Sequence, residues 1–295
     1  MVTNEWLFPR GSLEEGPWET VVGEGVPGWR YTGLRVADLD GDLALPPGAL
    51  ERMIVPLAGS FVVSASDDRW VLEGRRSVFD GPTDVLYLGA TSGLRIEGSG
   101  RVAIAEAPTT ASLPSALLRR DDVPVEIRGA GRSTRQVHNF GVPGALAAQK
   151  LIVCEVITPA ENWSSYPAHK HDRAGATESE LEEIYYFESA VARGADAPAD
   201  ARPFGMFATY SSDERAIDTA ARVGTGDVAL VPYGFHGPAV AAPGYDLYYL
   251  NVMAGPGAER AWRITDDPAQ GWVRQQWTDQ QPDPRLPYLS KETAP

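Results

Sequence analysis

The chain has 295 residues, a formal net charge of −14 and an isoelectric point near 4.7. Its apolar share, 43 %, is that of a globular protein able to bury a core. The acidity argues against a nucleic-acid backbone or an anionic membrane surface as the main partner, and no run approaches the roughly 18 apolar residues of a membrane helix.

The opening stretch "MVTNEWLFPRGSLEEGPW" is polar and aromatic and carries no apolar signal region. The single cysteine, Cys154, lies in the apolar run "KLIVCEVITP" and reads as a buried structural thiol. Both features predict a cytoplasmic protein. From residue 51 onward, short β-rich runs alternate with turn residues: "ERMIVPLAGSFVVSAS", "RWVLEGRRSVFD", "DVLYLGA", "LRIEG" and "RVAIAEAP". The segment Pro114 to Arg120, "PSALLRR", is expected to form one short helix. The two halves are expected to join near residues 110–145, where the chain is polar and glycine-rich, and then the strand texture returns in "KLIVCEVITP", "EEIYYFES", "FGMFATYS", "DVALVPYG" and "YDLYYLNVMAG". Strands repeating at roughly 8–12 residues predict an all-β sandwich or barrel. "GPTDVLYLGA" in the first half is echoed by "GTGDVALVPYG" in the second, which predicts two tandem β-barrels, over 1–120 and 121–295. Residues 1–137 contain no histidine, so only the second barrel can offer an imidazole-rich metal site.

The densest chemistry lies in "YPAHKHDRAGATESELEEIYYF", residues 166–187. Alternation along a strand puts His169 and His171 on one side and Lys170 on the other. Glu182 or Glu183 supplies a carboxylate from the next strand, and the spacing to Tyr186 favours Glu183. His236, in "GDVALVPYGFH", follows a strand over 228–231 and a Pro/Gly turn. Two or three imidazoles with one carboxylate suit zinc, manganese, iron, nickel or cobalt. The blander reading, histidines scattered on the surface, is weakened because three of the four fall in two segments with matching turn chemistry.

"PAHKHD…EEIYYF" resembles the first cupin motif and "GDVALVPYGFH" the second, one residue shorter before its histidine than the usual pattern. "NWSSYPAHKHD", "LEEIYYF", "YYLNVMAGP", "RSTRQVHNF" and "RAWRITDDPAQGW" together resemble the bacterial 5-deoxy-glucuronate isomerases of myo-inositol catabolism, over most of the chain and more loosely in residues 1–120. The resemblance implies a bicupin with metal only in the C-terminal barrel, liganded by His169, His171, Glu183 and His236. It also implies conversion of 5-deoxy-D-glucuronate to 5-dehydro-2-deoxy-D-gluconate.

That reaction removes a proton beside an aldehyde. A divalent cation can stabilise the charge that develops, and zinc suffices because no redox change occurs. A base must carry the proton; Glu182, Asp172, Glu180 and Tyr186 remain open, although Glu182 faces away from Glu183 in a strand and Asp172 can instead brace a ligand imidazole. The substrate carboxylate calls for a cation, Arg135 first, with Lys170 and Arg173 behind it. His138 reads as a structural hydrogen-bonder. Tyr248, Tyr249 and Asn251 are candidates to line the barrel, with only one of the two tyrosines inward. Trp262, Trp272 and Trp277 read as a cap on the barrel or a contact in a homo-oligomer. The rival readings are a 4-deoxy-uronate isomerase of pectin breakdown, a cupin dioxygenase using iron, and a non-catalytic sugar-acid-binding cupin.

Overall fold

Strands dominate the computed structural model, which describes residues 4–90, 92–213 and 215–289. Residues 20–118 build one antiparallel sheet. Its strands run in the order Thr20–Val22, Gly33–Leu45, Leu94–Pro108, Leu50–Ala65, Val85–Leu88 and Ala116–Leu118, with Asp68–Arg75 also paired to Leu50–Ala65. A second seven-stranded sheet has the order Leu7–Phe8, Val228–Val231, Glu182–Val191, Tyr245–Ala254, Ile152–Thr158, Arg135–His138 and Val125–Arg128. Facing it, a third sheet runs Asp218–Val223, Gly205–Tyr210, Phe235–Ala241, His169–Lys170 and Thr265–Asp266. Leu7–Phe8 thus pairs with Val228 and Ala229, far from the residues that follow it in sequence. No helix among the described residues is long and apolar enough to cross a membrane.

The pleat sorts side chains into three cores. Ala37, Ile54, Phe61, Leu86 and Ile104 fill the first sheet's own interior. Cys154, Tyr185, Phe187, Phe207 and Tyr249 fill the space between the second and third sheets. The alternate residues, Met53, Val55 and Tyr87 from the first sheet and Val153, Ile184, Tyr186, Leu250 and Val252 from the second, meet in a third core between them. Strands such as Ile152–Thr158 are therefore buried on both faces, which is why they read as continuous apolar runs. Each such side chain contributes roughly 1.5–3 kcal/mol on leaving water.

Polar groups fix the same contact. Glu51 accepts backbone N–H bonds from Gln149, Lys150 and Leu151 at 2.7, 2.6 and 2.6 Å. Glu155 is clamped by Arg75 at 2.5 and 2.7 Å, by the Tyr248 hydroxyl at 2.7 Å and by His138 Nδ1 at 2.5 Å, so His138 is a buried hydrogen-bonder as expected.

The helix expected over Pro114 to Arg120 is not formed. Ala116–Leu118 is a strand on the edge of Val85–Leu88, followed by a short 3-10 turn over Arg120–Asp122. A seven-residue helix is unstable by itself, whereas the strand satisfies an open ladder and packs Leu117 on the first core.

Candidate metal centre

Three separate pieces of chain converge at one end of the second core. His169 is the cross-strand partner of His236. Glu183 lies on the central strand Glu182–Val191, opposite Val231 and Met253. His171 follows His169 after one residue, and its carbonyl accepts the N–H of Leu181. Gly237 makes the approach feasible: its φ is 92°, and a Cβ there would meet the Ser165 carbonyl oxygen at 1.8 Å.

Glu183 Oε2 lies 2.9 Å from His171 Nε2 and 3.0 Å from His236 Nε2. The His236 ring centroid is 4.5 Å from that of His169 and 4.7 Å from that of His171, and His169 and His171 are 6.4 Å apart. Ligand atoms of His171, Glu183 and His236 all fall within 4.8 Å of one another. In every case Nδ1 faces a backbone carbonyl: Pro167 at 3.1 Å for His169, Leu181 at 3.2 Å for His171 and Gly234 at 3.4 Å for His236. Nδ1–H donation to a carbonyl fixes the tautomer that leaves the Nε2 lone pair for a cation.

The electrostatics agree. Burial, followed by the neighbouring His236, holds the His169 pKa well below its usual value. Burial also lowers that of His236, although Glu183 opposes it. Burial pulls on His171 too, but its hydrogen bond to Glu183 outweighs this and raises its pKa. Burial pushes Glu183 up, yet His236 and His171 bring it well below the carboxylate range. His236 Nε2 is buried and, despite its closeness to Glu183, has no partner at hydrogen-bonding angle. An orphaned imidazole nitrogen beside an ionised carboxylate and two more imidazoles is a donor set that fits a divalent cation.

Strand alternation decides which of the other expected residues come near. Glu182 points to the opposite face, where its carboxylate accepts the N–H groups of Arg30 and Tyr31 at 3.0 and 2.6 Å. Tyr186 also points outward, with its hydroxyl held by Arg101 at 2.8 and 2.6 Å. Asp172 accepts Lys170 Nζ at 2.8 Å and the Gly234 N–H at 2.9 Å, bracing the turn before His236 instead of touching an imidazole. Lys170 is tied to Asp172 and Glu178, Arg173 is exposed with its N–H on Glu178, and Glu180 is exposed. None of these brings its functional group to the cluster. Tyr249 does face the second core, while Tyr248 faces Glu155. Asn251 lies opposite Tyr185 and Cys154.

Tyr185 was missing from the expectations. Its ring is 6.0 Å from that of His236, and its hydroxyl is 2.8 Å from Ser165 Oγ. Burial and then the charge of Glu183 hold its pKa well above the ordinary phenol value, so it remains protonated. The signal was available: once Glu183 is inward, residue 185 is inward and residue 186 is not. Thr209, cross-strand from His236, keeps a buried hydroxyl that has no hydrogen-bond partner among the described residues.

Known proteins share this arrangement of sequence and fold. A 5-deoxy-glucuronate isomerase of Geobacillus kaustophilus is 40 % identical over 267 residues, covering 88 % of this chain and 91 % of that protein. One from Bacillus subtilis is 37 % identical over 228 residues, covering 76 % and 79 %. The crystal structure of an IolB-like protein from Salmonella typhimurium superposes with a TM-score of 0.81 at 34 % identity, covering 91 % of this chain and 99 % of that one. Bacillus subtilis oxalate decarboxylase, at 11 % identity and a TM-score of 0.59 over 90 % of this chain and 80 % of its own, shares the fold alone. With residues 6–273 matching the model of the KduI/IolB family, the chain belongs to that family.

Proposed function

We propose that the chain isomerises 5-deoxy-D-glucuronate to 5-dehydro-2-deoxy-D-gluconate, using one divalent ion, zinc, held by His169, His171, Glu183 and His236 in the second of two tandem cupin barrels. The names of the relatives support the substrate. The observation that carries the metal is the convergence of His171 Nε2, His236 Nε2 and Glu183 Oε2, with the Nδ1 atoms of these two histidines and of the adjacent His169 turned to backbone carbonyls.

When bound, a divalent ion would supply Lewis-acid stabilisation of the negative charge that develops on the substrate oxygens as a proton moves from the carbon beside the aldehyde to the aldehyde carbon. The protein supplies the rest. Nδ1 contacts and the turn braced by Asp172 hold the imidazoles in place. The packed aromatic layer of Tyr185, Phe187, Phe207 and Tyr249 keeps bulk water away, which strengthens any hydrogen bond made inside. Tyr185, protonated and oriented by Ser165, donates to an oxygen that gains charge.

The test is an NMR assay with 5-deoxy-D-glucuronate before and after chelation. Turnover should vanish with chelator and return with zinc. Undiminished turnover by metal-free protein would end the metal reading, and oxygen consumption would favour the dioxygenase.

A further inference from the structure

The protein is strongly acidic, yet one edge of the second core gathers cations. Arg135 and Arg128 are cross-strand partners, so their side chains leave the sheet on the same side. Alternation puts Arg135 on the face of Val137, which belongs to the second core. The C-terminal tail meets them there. Arg128 lies 5.3 Å from the Trp262 ring centroid, and Arg135 and Arg274 lie 5.6 and 5.3 Å from that of Trp277.

Two of these arginines have acids. Arg128 pairs with Glu126 at 2.8 Å and Arg274 with Asp266 at 2.7 Å. Arg135 differs. It is 9 % exposed and donates to the Ser133 carbonyl at 3.1 Å, and among the described residues no carboxylate pairs with it. Burial, with the charges of Arg128 and Arg274 and against the pull of Tyr249, lowers its pKa to about 10, so it is still a cation at neutral pH. An uncompensated guanidinium with unused donors is costly to bury. Beside Arg128, the Trp262 indole N–H is buried and also lacks an acceptor among the described residues. Tyr249, whose phenol acts electrostatically on Arg135, is 5.0 Å from the Tyr185 ring, and Tyr185 adjoins His236.

We propose that Arg135 and the Trp262 indole N–H form the subsite for the carboxylate of an anionic sugar, and that the tail over 262–277 is a wall of this subsite. The identity of the sugar rests on the isomerase reading, but the anion subsite does not. A planar fork of donors matches a carboxylate, and an incoming anion supplies the partner that Arg135 lacks.

The test is calorimetric binding of D-glucuronate and of D-glucose, which lacks the carboxylate, to the zinc-loaded full chain. The parent should prefer glucuronate by about 30-fold or more, the usual scale for losing one partner of a partly dry ion pair. Arg135→Met should abolish that preference while zinc content stays at the parent level. Its Tm should not fall, because an unpaired buried charge has been removed; a merely structural arginine would leave the preference and lower the Tm. Should Arg135→Met fail to fold, Arg135→Gln carries the same expectation. Trp262→Phe keeps the ring and should lose about 3- to 10-fold of the preference; full retention would remove Trp262 from the subsite. A parent without preference, or a folded Arg135 variant that keeps it, overturns the inference. Turnover is read separately by NMR: a parent that binds through Arg135 but does not isomerise refutes the isomerase reading alone.

Discussion

Two strand triplets in this molecule have the same pairing and opposite contents. In the first sheet, Arg52 pairs with Leu88 on one side and Glu106 on the other, and Ile54 pairs with Leu86 and Ile104. In the second, Glu183 pairs with Val231 and Met253, and Tyr185 with Ala229 and Asn251. The registers run in step, and so do the turns that lead in. Asp84 precedes the wholly buried strand Val85–Leu88, and Asp227 precedes Val228–Val231. Where the second triplet holds Glu183 among histidines, the first holds Arg52 bound to Glu106 at 2.8 Å, with Arg35 on the same carboxylate at 3.0 Å. Where the second holds Tyr185 and Asn251, the first holds Ile54 and Ile104 in an apolar core. A shared scaffold thus hosts a cluster of two arginines paired to one carboxylate in one place and a donor set that calls for a cation in the other. Function resides in a few inward positions rather than in the fold.

The sharpest way to break this comparison is to disturb the arginine–glutamate cluster. Glu106→Gln leaves Arg52, nearly buried, without its carboxylate. Loss of one partner from a buried pair costs about 3–5 kcal/mol, so a large fall in unfolding free energy is expected in a urea titration, with zinc content per folded chain unchanged. A loss of zinc at this position would mean that the two regions are not independent.

His171→Ala tests the other side. It removes a nitrogen that lies 2.9 Å from Glu183. Bound zinc measured after dialysis should fall to near background, and kcat should drop by about 100- to 1000-fold, the scale set by removing one charge-stabilising group. Retained zinc would show that the remaining three side chains suffice.

The aromatic pair at 185 and 186 separates the faces of one strand. Tyr185→Phe removes the hydroxyl that meets Ser165, and Tyr186→Phe removes the one that meets Arg101. The first should lower kcat by roughly tenfold to 100-fold with KM little changed. The second should leave kcat alone and cost about 1 kcal/mol of stability. Equal effects on kcat would place the chemistry outside the second core.

Much of the site was legible because it obeys a local rule. A period of two put His169 with His171, and the spacing of "EEIYYF" favoured Glu183 over Glu182. The same rule, applied once more, would have chosen Tyr185 over Tyr186. The matched turns at Asp84 and Asp227 were legible as an echo of sequence. What stayed hidden depends on partners far along the chain. Glu182 is occupied by N–H groups 152 and 151 residues away. Arg135 was the first cation expected for the substrate carboxylate, but that no carboxylate among the described residues pairs with it is an absence that pairing alone reveals. The strand at Ala116–Leu118 exists because Val85–Leu88 has a free edge, a tertiary fact that outweighs the local preference of "PSALLRR".

Glu182 itself gives the finest test, because it adjoins Glu183 and differs from it only in the face it occupies. Glu182 receives the Arg30 and Tyr31 N–H groups, so it anchors a loop of the first region to the second. Burial raises its pKa, while those backbone donors pull the other way. Glu182→Ala should strand two donors in a half-buried place and cost about 1–3 kcal/mol. Water can reach part of that loop, which favours the low end of the range. Zinc content and kcat/KM should remain at parent values at a temperature where both proteins are folded. The decisive measurement is zinc per chain for Glu182→Ala and Glu183→Ala side by side. If Glu182→Ala empties the site and Glu183→Ala does not, the register of Glu182–Val191 is displaced by one residue, and every inward and outward assignment along that strand reverses.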